Sequence, residues 1–445
     1  MKIAIVVQRY GADINGGAEL HARYIAERLA RYADVRVLTT CARDYLTWRN
    51  EFTAGVDHVN GIAVERFRVS RERNEAEFGL RSDHVFSRRH SLQDELDWLT
   101  SEGPTSPELL ARLSRGRDEF DFVVLFCARY FHAYHGARIV PERAVLVPTA
   151  ERDPAIGLAM FRPIFRGVRA IMFNSPEEQA LIRAAAANDH VPGVVVGIGS
   201  EIPASVDPAR ARAKFRLTGP YVVYVGRIDA NKGCAELFDF FTRYAATRRD
   251  AATLVLIGRA VLEIPTHPSI RHVGFVDDSD KFDIIAGATA LIMPSYYESL
   301  SMVALEAWAI GRPVIANAHC DVLLGQCLRS NAGLYYADAD EFGAVLERVL
   351  TDDPLVDRLG RNGRKFYDEH YSWPVIERKY LDMFAFLSSN ASTYRMERVS
   401  GWFARKLRSL RPAAQVLDEL PTGPALDVDD RGPGRSAPQR QGAIA

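Results

Sequence analysis

The sequence carries almost no net charge. Its 445 residues hold 56 Lys+Arg against 57 Asp+Glu, a formal balance of −1. A chain so close to neutral has no overall electrostatic reason to coat nucleic acid, and no nucleic-acid partner is expected. Cysteine is sparse. Cys41, Cys127, Cys234, Cys320 and Cys327 are odd in number, scattered, and never at CxxC spacing. Neither a disulfide framework nor a cysteine zinc site is therefore expected. No apolar run approaches the ~20 residues that span a bilayer. The run 3–7 after Met1-Lys2 is too short for a signal-peptide core and reads as a first buried strand. A cytoplasmic protein is expected, in which the sequon Asn390-Ala391-Ser392 has no meaning. Lysine is scarce too: seven stand beside 49 arginines. That bias is assigned to a GC-rich genome, and no function is read from it.

What is present is an ordinary globular composition, 47% hydrophobic and 25% charged. At roughly 100–200 residues per domain, the length suggests two or three domains. Residues 2–7, 35–39, 62–69, 122–127, 144–147, 170–173 and 194–198 read as strands, with helices at 18–32 and 91–99 and a helix start at Asn174-Ser175-Pro176. Most of these strands are continuous apolar runs, as expected where helices cover both faces of a sheet. Residues 199–213, with Pro203 and Asp207-Pro208, break the pattern and read as a linker. A second series follows, with strands at 221–225, 254–257, 270–273, 290–293 and 314–316 and helices at 234–244 and 303–309. Two such series imply an α/β fold of two doubly wound domains, 1–199 and 200–371. Ligands in these sheets bind at the carboxyl ends of the strands, so the expected site is the cleft between the domains. A helix is expected at 372–390, a basic segment at 391–411, and a disordered tail at 412–445.

Three loops carry chemistry. Gly226-Arg227-Ile228-Asp229-Ala230-Asn231-Lys232-Gly233 follows the strand 221–225. Its glycines allow close backbone approach and its two cations suit an anionic ligand, although it does not match the GxxxxGK[ST] phosphate loop. Pro294-Ser295-Tyr296-Tyr297-Glu298-Ser299-Leu300-Ser301-Met302-Val303 follows the strand 290–293. Ser299 and Ser301 are N-cap residue types, so a helix should begin there, its free N–H groups facing the cleft. Glu306 is a carboxylate in an otherwise apolar helix, which a ribose diol would explain. Gly16-Gly17-Ala18-Glu19 places two glycines before the first helix. Taken alone, each loop has a plain alternative as a solvated turn or an exposed helical glutamate.

Taken together, in this order, the three loops resemble those of the glycosyltransferase family 4 enzymes, which are retaining transferases of the GT-B fold. The resemblance covers nearly all of residues 1–390. It includes the GG loop, GR-x4-KG, the E-x7-E pair Glu298 and Glu306, and Ser372-Trp373 before a helix that typically crosses back to the first domain. The segment 41–51 looks like a bacterial subset of the family. The resemblance implies two facing Rossmann-like domains and a nucleotide-sugar donor, UDP- or GDP-linked, bound as substrate with no cofactor. Arg227 and Lys232 would hold its diphosphate, helped by the N–H groups of Leu300, Ser301, Met302 and Val303 and by Gly16 and Gly17. Glu298 would contact the transferred sugar, Glu306 would bind the ribose hydroxyls, and Gly274-Phe275 would lie by the base. Gly226 and Ser299 belong to the same donor loops. The acceptor would be a glycan or a lipid-linked glycan in bacterial polysaccharide or glycolipid assembly. Alternatives are a nucleotide-sugar-binding protein without turnover and an epimerase-like enzyme.

One position departs from the family. Many relatives have a histidine facing the donor sugar in a segment of the type Pro-Thr-Ala-His-Asp-Glu-Pro. Here the segment is Pro148-Thr149-Ala150-Glu151-Arg152-Asp153-Pro154, with Glu151 in the histidine's place. A glutamate there would select a different sugar, act as base toward the incoming hydroxyl, or weaken activity. His132 and His135 are nearby in sequence but read as core or surface residues. Asp338-Ala339-Asp340, a D-x-D, precedes an apparent helix at 342–350 and reads as N-cap residues, so no metal requirement is expected. Residues 395–411 carry six basic residues and one acidic. Met396, Val399, Phe403, Leu407 and Leu410 there recur at helical spacing. This is the pattern of a basic amphipathic helix on an anionic membrane surface, the inner face of the cytoplasmic membrane for a cytoplasmic protein. The alternative is a helix docked on the protein.

Overall fold

The computed structural model describes residues 1–248 and 252–391. The basic segment 395–411 and the tail 412–445 lie outside the described residues.

Among the described residues, fourteen strands form two sheets. The first contains β1 (Lys2–Val6), β2 (Asp34–Thr40), β3 (Gly55–Val59), β4 (Ile62–Phe67), β5 (Phe122–Phe126), β6 (Ala144–Val147), β7 (Ala170–Phe173) and β8 (Gly193–Val195). Its order is β3-β4-β2-β1-β5-β6-β7-β8, parallel except for the antiparallel pair β3–β4. The second contains β9 (Tyr221–Val225), β10 (Thr253–Ile257), β11 (Ile270–Gly274), β12 (Leu291–Met293), β13 (Val314–Asn317) and β14 (Gly333–Tyr336), in the order β11-β10-β9-β12-β13-β14 and wholly parallel. The central strands β5 and β9, FVVLF and YVVYV, are buried along their whole length, which is why they are apolar without alternation. Strand order reverses between β1 and β5 and between β9 and β12. A doubly wound sheet opens a crevice beyond the strand ends at such a point.

Two expectations need correction. Residues 208–215 are not linker. Asp207 accepts hydrogen bonds from the N–H groups of Ala209 (3.0 Å) and Arg210 (3.1 Å), and Pro208 occupies the first turn of the helix Pro208–Phe215. A missing N–H costs nothing at that position, so Asp-Pro starts a helix here instead of breaking the chain. The helix packs on Asp278–Gly287, with Arg210 against Asp283. The strand expected at 62–69 is β4, but its hairpin partner β3 was not expected. Four of the five β3 residues are exposed, so that strand has no apolar signature.

The helix Trp373–Ser389 lies against the first sheet's half of the molecule. Phe384 stacks on Phe122 with centroids 4.8 Å apart, and Trp373 meets Tyr24 edge-on at 5.7 Å. The Tyr32 hydroxyl donates to Glu377 at 2.8 Å. Trp373 also fixes the chain at Gly199, where a side chain would stand 2.7 Å from its ring.

Candidate active site

A cavity of about 1110 Å³ lies beyond the switch points and takes its walls from both halves. From the first half come Gly16 and Gly17, at the start of the helix Gly17–Leu29. No side chain caps that helix, so its first N–H groups point out unpaired by a cap. A Cβ at Gly16 would meet the Glu19 carboxylate, so a side chain there would have to displace Glu19. Glu19 is itself held by Arg9, whose Nε donates to it at 2.8 Å. Gly17 has open space where a side chain would go.

The second half contributes the two cations. Tyr224 donates its hydroxyl to the carbonyl of Arg227 at 2.7 Å, and Asp229 accepts from the Lys232 N–H at 2.8 Å, which shapes the loop after β9. Gly233 closes it at φ +73° with its Cα against Pro294, so the loop after β9 is pressed onto the loop after β12. Lys232 Nζ then reaches Glu298 Oε1 at 2.8 Å. Burial works against the lysine's charge, but the Glu298 and Glu151 carboxylates outweigh it and hold its pKa above the usual range. Arg227 is engaged by Asp229 and by the hydroxyl of Tyr45 at 2.6 Å, a contact from the opposite half.

Ser301 caps the helix Met302–Ala309 by accepting from Ala304 N–H at 3.2 Å. Ser299, Leu300, Ser301, Met302, Val303 and Glu306 all line the cavity. Asn174 Nδ2 donates to Ser299 Oγ across the cleft at 3.3 Å. Gly226 and Phe275 line it too, Phe275 being an exposed aromatic. Gly274 does not: it sits one residue behind the wall, its carbonyl accepting from Gly258 N–H at 2.9 Å.

Glu151 lines the cavity on the first half. Burial raises its pKa, Lys232 lowers it, and the Glu298 carboxylate raises it again. Beneath it lies Glu178, fully buried, which accepts from Ala150 N–H at 2.6 Å and Asn174 N–H at 2.5 Å. Burial pushes the Glu178 carboxyl up to about 8 despite these two bonds. His132 is a core residue bonded to the Phe126 carbonyl at 3.0 Å, and neither it nor His135 lines the cavity.

Sequence reasoning did not single out Tyr45, Arg9, Lys281 or Glu178. Only Glu178 had a local signal, as the third residue after the helix-capping Ser175. Asp338 caps its helix, accepting from Glu341 N–H at 2.9 Å. Asp338-Ala339-Asp340 is not the only D-x-D of the folded region, since Asp278-Ser279-Asp280 is another. It opens the helix Asp278–Gly287, and Asp280 pairs with Lys214. Among the described residues, no group of three or more His, Cys, Asp or Glu is placed to hold a metal ion.

Comparison with solved structures fixes the architecture. Sucrose-phosphate synthase from Thermosynechococcus elongatus superposes with a TM-score of 0.62 at 18% identity, covering 87% of this chain and 99% of that one. Anabaena HepE in complex with UDP gives 0.61 at 15% identity, covering 87% and 100%. The fold is GT-B. Within it, residues 206–366 match the family model of the glycosyl transferases group 1. The GT-B half so matched contains Arg227, Lys232, Glu298 and Glu306. Over 159 residues the chain is 32% identical to the MMP alpha-(1->4)-mannosyltransferase of Mycolicibacterium hassiacum. That match takes in 33% of this chain and 38% of the relative, so the chain spans well under half of that protein's length.

Proposed function

We propose that the protein transfers a sugar, with retention of configuration and without a metal, from a UDP- or GDP-linked donor to a glycan or lipid-linked acceptor. The setting would be bacterial polysaccharide or glycolipid assembly on the cytoplasmic side, with the basic segment 395–411 resting on anionic lipid. One observation carries the reading. Arg227, Lys232 and the N-terminal end of the helix Met302–Ala309 share one cavity with Glu151, which lies on the opposite wall.

The chemistry asks for this arrangement. Breaking the sugar–phosphate bond puts negative charge on the diphosphate and positive charge on the sugar ring. Fixed cations and helix N–H groups stabilise the first where it develops. The carboxylates Glu298 and Glu151, which line the same cavity, would face the second. Gly16 and Gly17 let the diphosphate approach from the other half, and Glu306 accepts from the ribose. That Anabaena HepE, of the same fold, was solved in complex with UDP supports a nucleotide-linked donor.

Glu151 favours a second reading, a nucleotide-sugar-binding protein without turnover, because it replaces the histidine of the resembling family. A panel of UDP- and GDP-sugars, assayed for thermal stabilisation, hydrolysis and transfer, separates the two. The enzyme reading expects turnover of a stabilising donor, the same anomer in product and donor by NMR, and activity undiminished by EDTA. Stabilisation without turnover supports the second reading, and an inverted product overturns retention.

A further inference from the structure

Two of the seven lysines line the cavity, and each is paired with one glutamate of the E-x7-E motif. Lys232 holds Glu298 and Lys281 holds Glu306. Lys281 stands outside the segments that carry the motif. Lys281 comes from the helix Asp278–Gly287, and its Nζ lies 3.1 Å from Glu306 Oε1 and 3.0 Å from Asp278 Oδ1. It is mostly buried, with its ammonium 4.7 Å from the centre of the Phe282 ring.

Glu306 is divided in its contacts. Oε1 takes the lysine, while Oε2 is buried with no partner. The residue is 6% exposed and lines the cavity. A buried carboxylate oxygen without a partner is costly unless a ligand donates to it. Burial raises the Glu306 pKa, and the Lys281 charge acts against that rise. Without Lys281 this carboxyl would more readily hold a proton and lose acceptor capacity.

We infer that Lys281 is a positioning residue for the donor nucleotide. It fixes Glu306 by one oxygen and presents the other oxygen to the ribose hydroxyls. The substrate class narrows accordingly to ribonucleotide donors over 2′-deoxyribonucleotide donors, since a missing 2′-hydroxyl takes away a donor that Oε2 would accept from. The inference rests on the nucleotide-sugar reading above and adds a residue and a selectivity to it.

The test is binding, which needs no acceptor. Affinities of the full chain for UDP, dUDP, GDP and dGDP are measured by calorimetry for wild type, Lys281→Met and Lys281→Arg, with melting temperatures alongside. Wild type is expected to favour the ribonucleotide of the preferred base by roughly tenfold or more over its 2′-deoxy form. Lys281→Met should bring that ratio to within about threefold of unity while leaving the deoxynucleotide affinity nearly unchanged. A merely structural lysine would weaken both ligands together. Lys281→Arg keeps the charge and should keep most of the ratio, so the inference stays testable if the methionine variant fails to fold. A wild-type ratio near unity, or one that survives Lys281→Met, overturns the inference alone. If none of these nucleotides binds wild type, the donor reading falls and the inference with it.

Discussion

Lys232 and Glu298 bond at 2.8 Å with Glu151 close enough to act on both. On the proposed reading, Lys232→Ala takes away a cation meant for the diphosphate and leaves Glu298 and Glu151 without the lysine charge between them, and Glu298→Ala removes the contact meant for the sugar. Either change should lower transfer roughly 10²–10³-fold while circular dichroism stays that of the wild type. Glu178 gives a prediction in pH. Its carboxyl titrates near 8 in the folded chain and near the ordinary glutamate value when unfolded. The folded state therefore holds the extra proton between about pH 4.5 and 8, and stability falls as pH rises through that window. Glu178→Gln removes the titration. Urea unfolding at pH 5 and pH 8 should show wild type losing at least about 1 kcal/mol more than the variant. That Arg227, Lys232, Glu298 and Glu306 line one cavity was legible because the first three stand in loops that follow apolar strand runs and Glu306 in the helix that opens after the second of them. Lys281 and Tyr45 were not, because their partners, Glu306 and Arg227, are distant in sequence and meet them only in the folded chain.

Among the elements, the turn at Gly233 joins two loops into one wall. Its φ of +73° disfavours any side chain, and an added Cβ would stand 2.1 Å from the Pro294 carbonyl oxygen. Gly233→Ala should cost roughly 1–3 kcal/mol by urea denaturation. Gly17→Ala, with ordinary backbone and open space, should stay within about 0.5 kcal/mol. The buried strands of both sheets were readable because two covered faces demand unbroken apolar runs. The hairpin strand β3 and the helix Pro208–Phe215 were not. The first is mostly exposed and held by pairing with β4. The second is polar and held by ion pairs to its neighbour, Arg210 to Asp283 and Lys214 to Asp280, so neither shows a hydrophobic period.

For the molecule as a whole, the helix Trp373–Ser389 ties the end of the second half to the first. Phe384 is buried on Phe122. Phe384→Ala should cost about 3–5 kcal/mol and lower the melting temperature measurably by calorimetry. If the segment after this helix binds lipid, the chain should co-sediment with phosphatidylglycerol vesicles, and a version ending at residue 394 should not. Equal pelleting of the two would remove the membrane from the proposal. The two cleft lysines also have a consequence for chemical labelling. Burial lowers and neighbouring carboxylates more than restore their proton affinity, so both stay protonated as ammonium ions. An acylating reagent finds few side-chain amines on this arginine-rich chain, and those two should be the slowest to react. A ligand that draws either carboxylate away frees an amine, so a change in acylation at Lys232 or Lys281, read by mass spectrometry, would report occupancy of the cleft without any assay for the reaction.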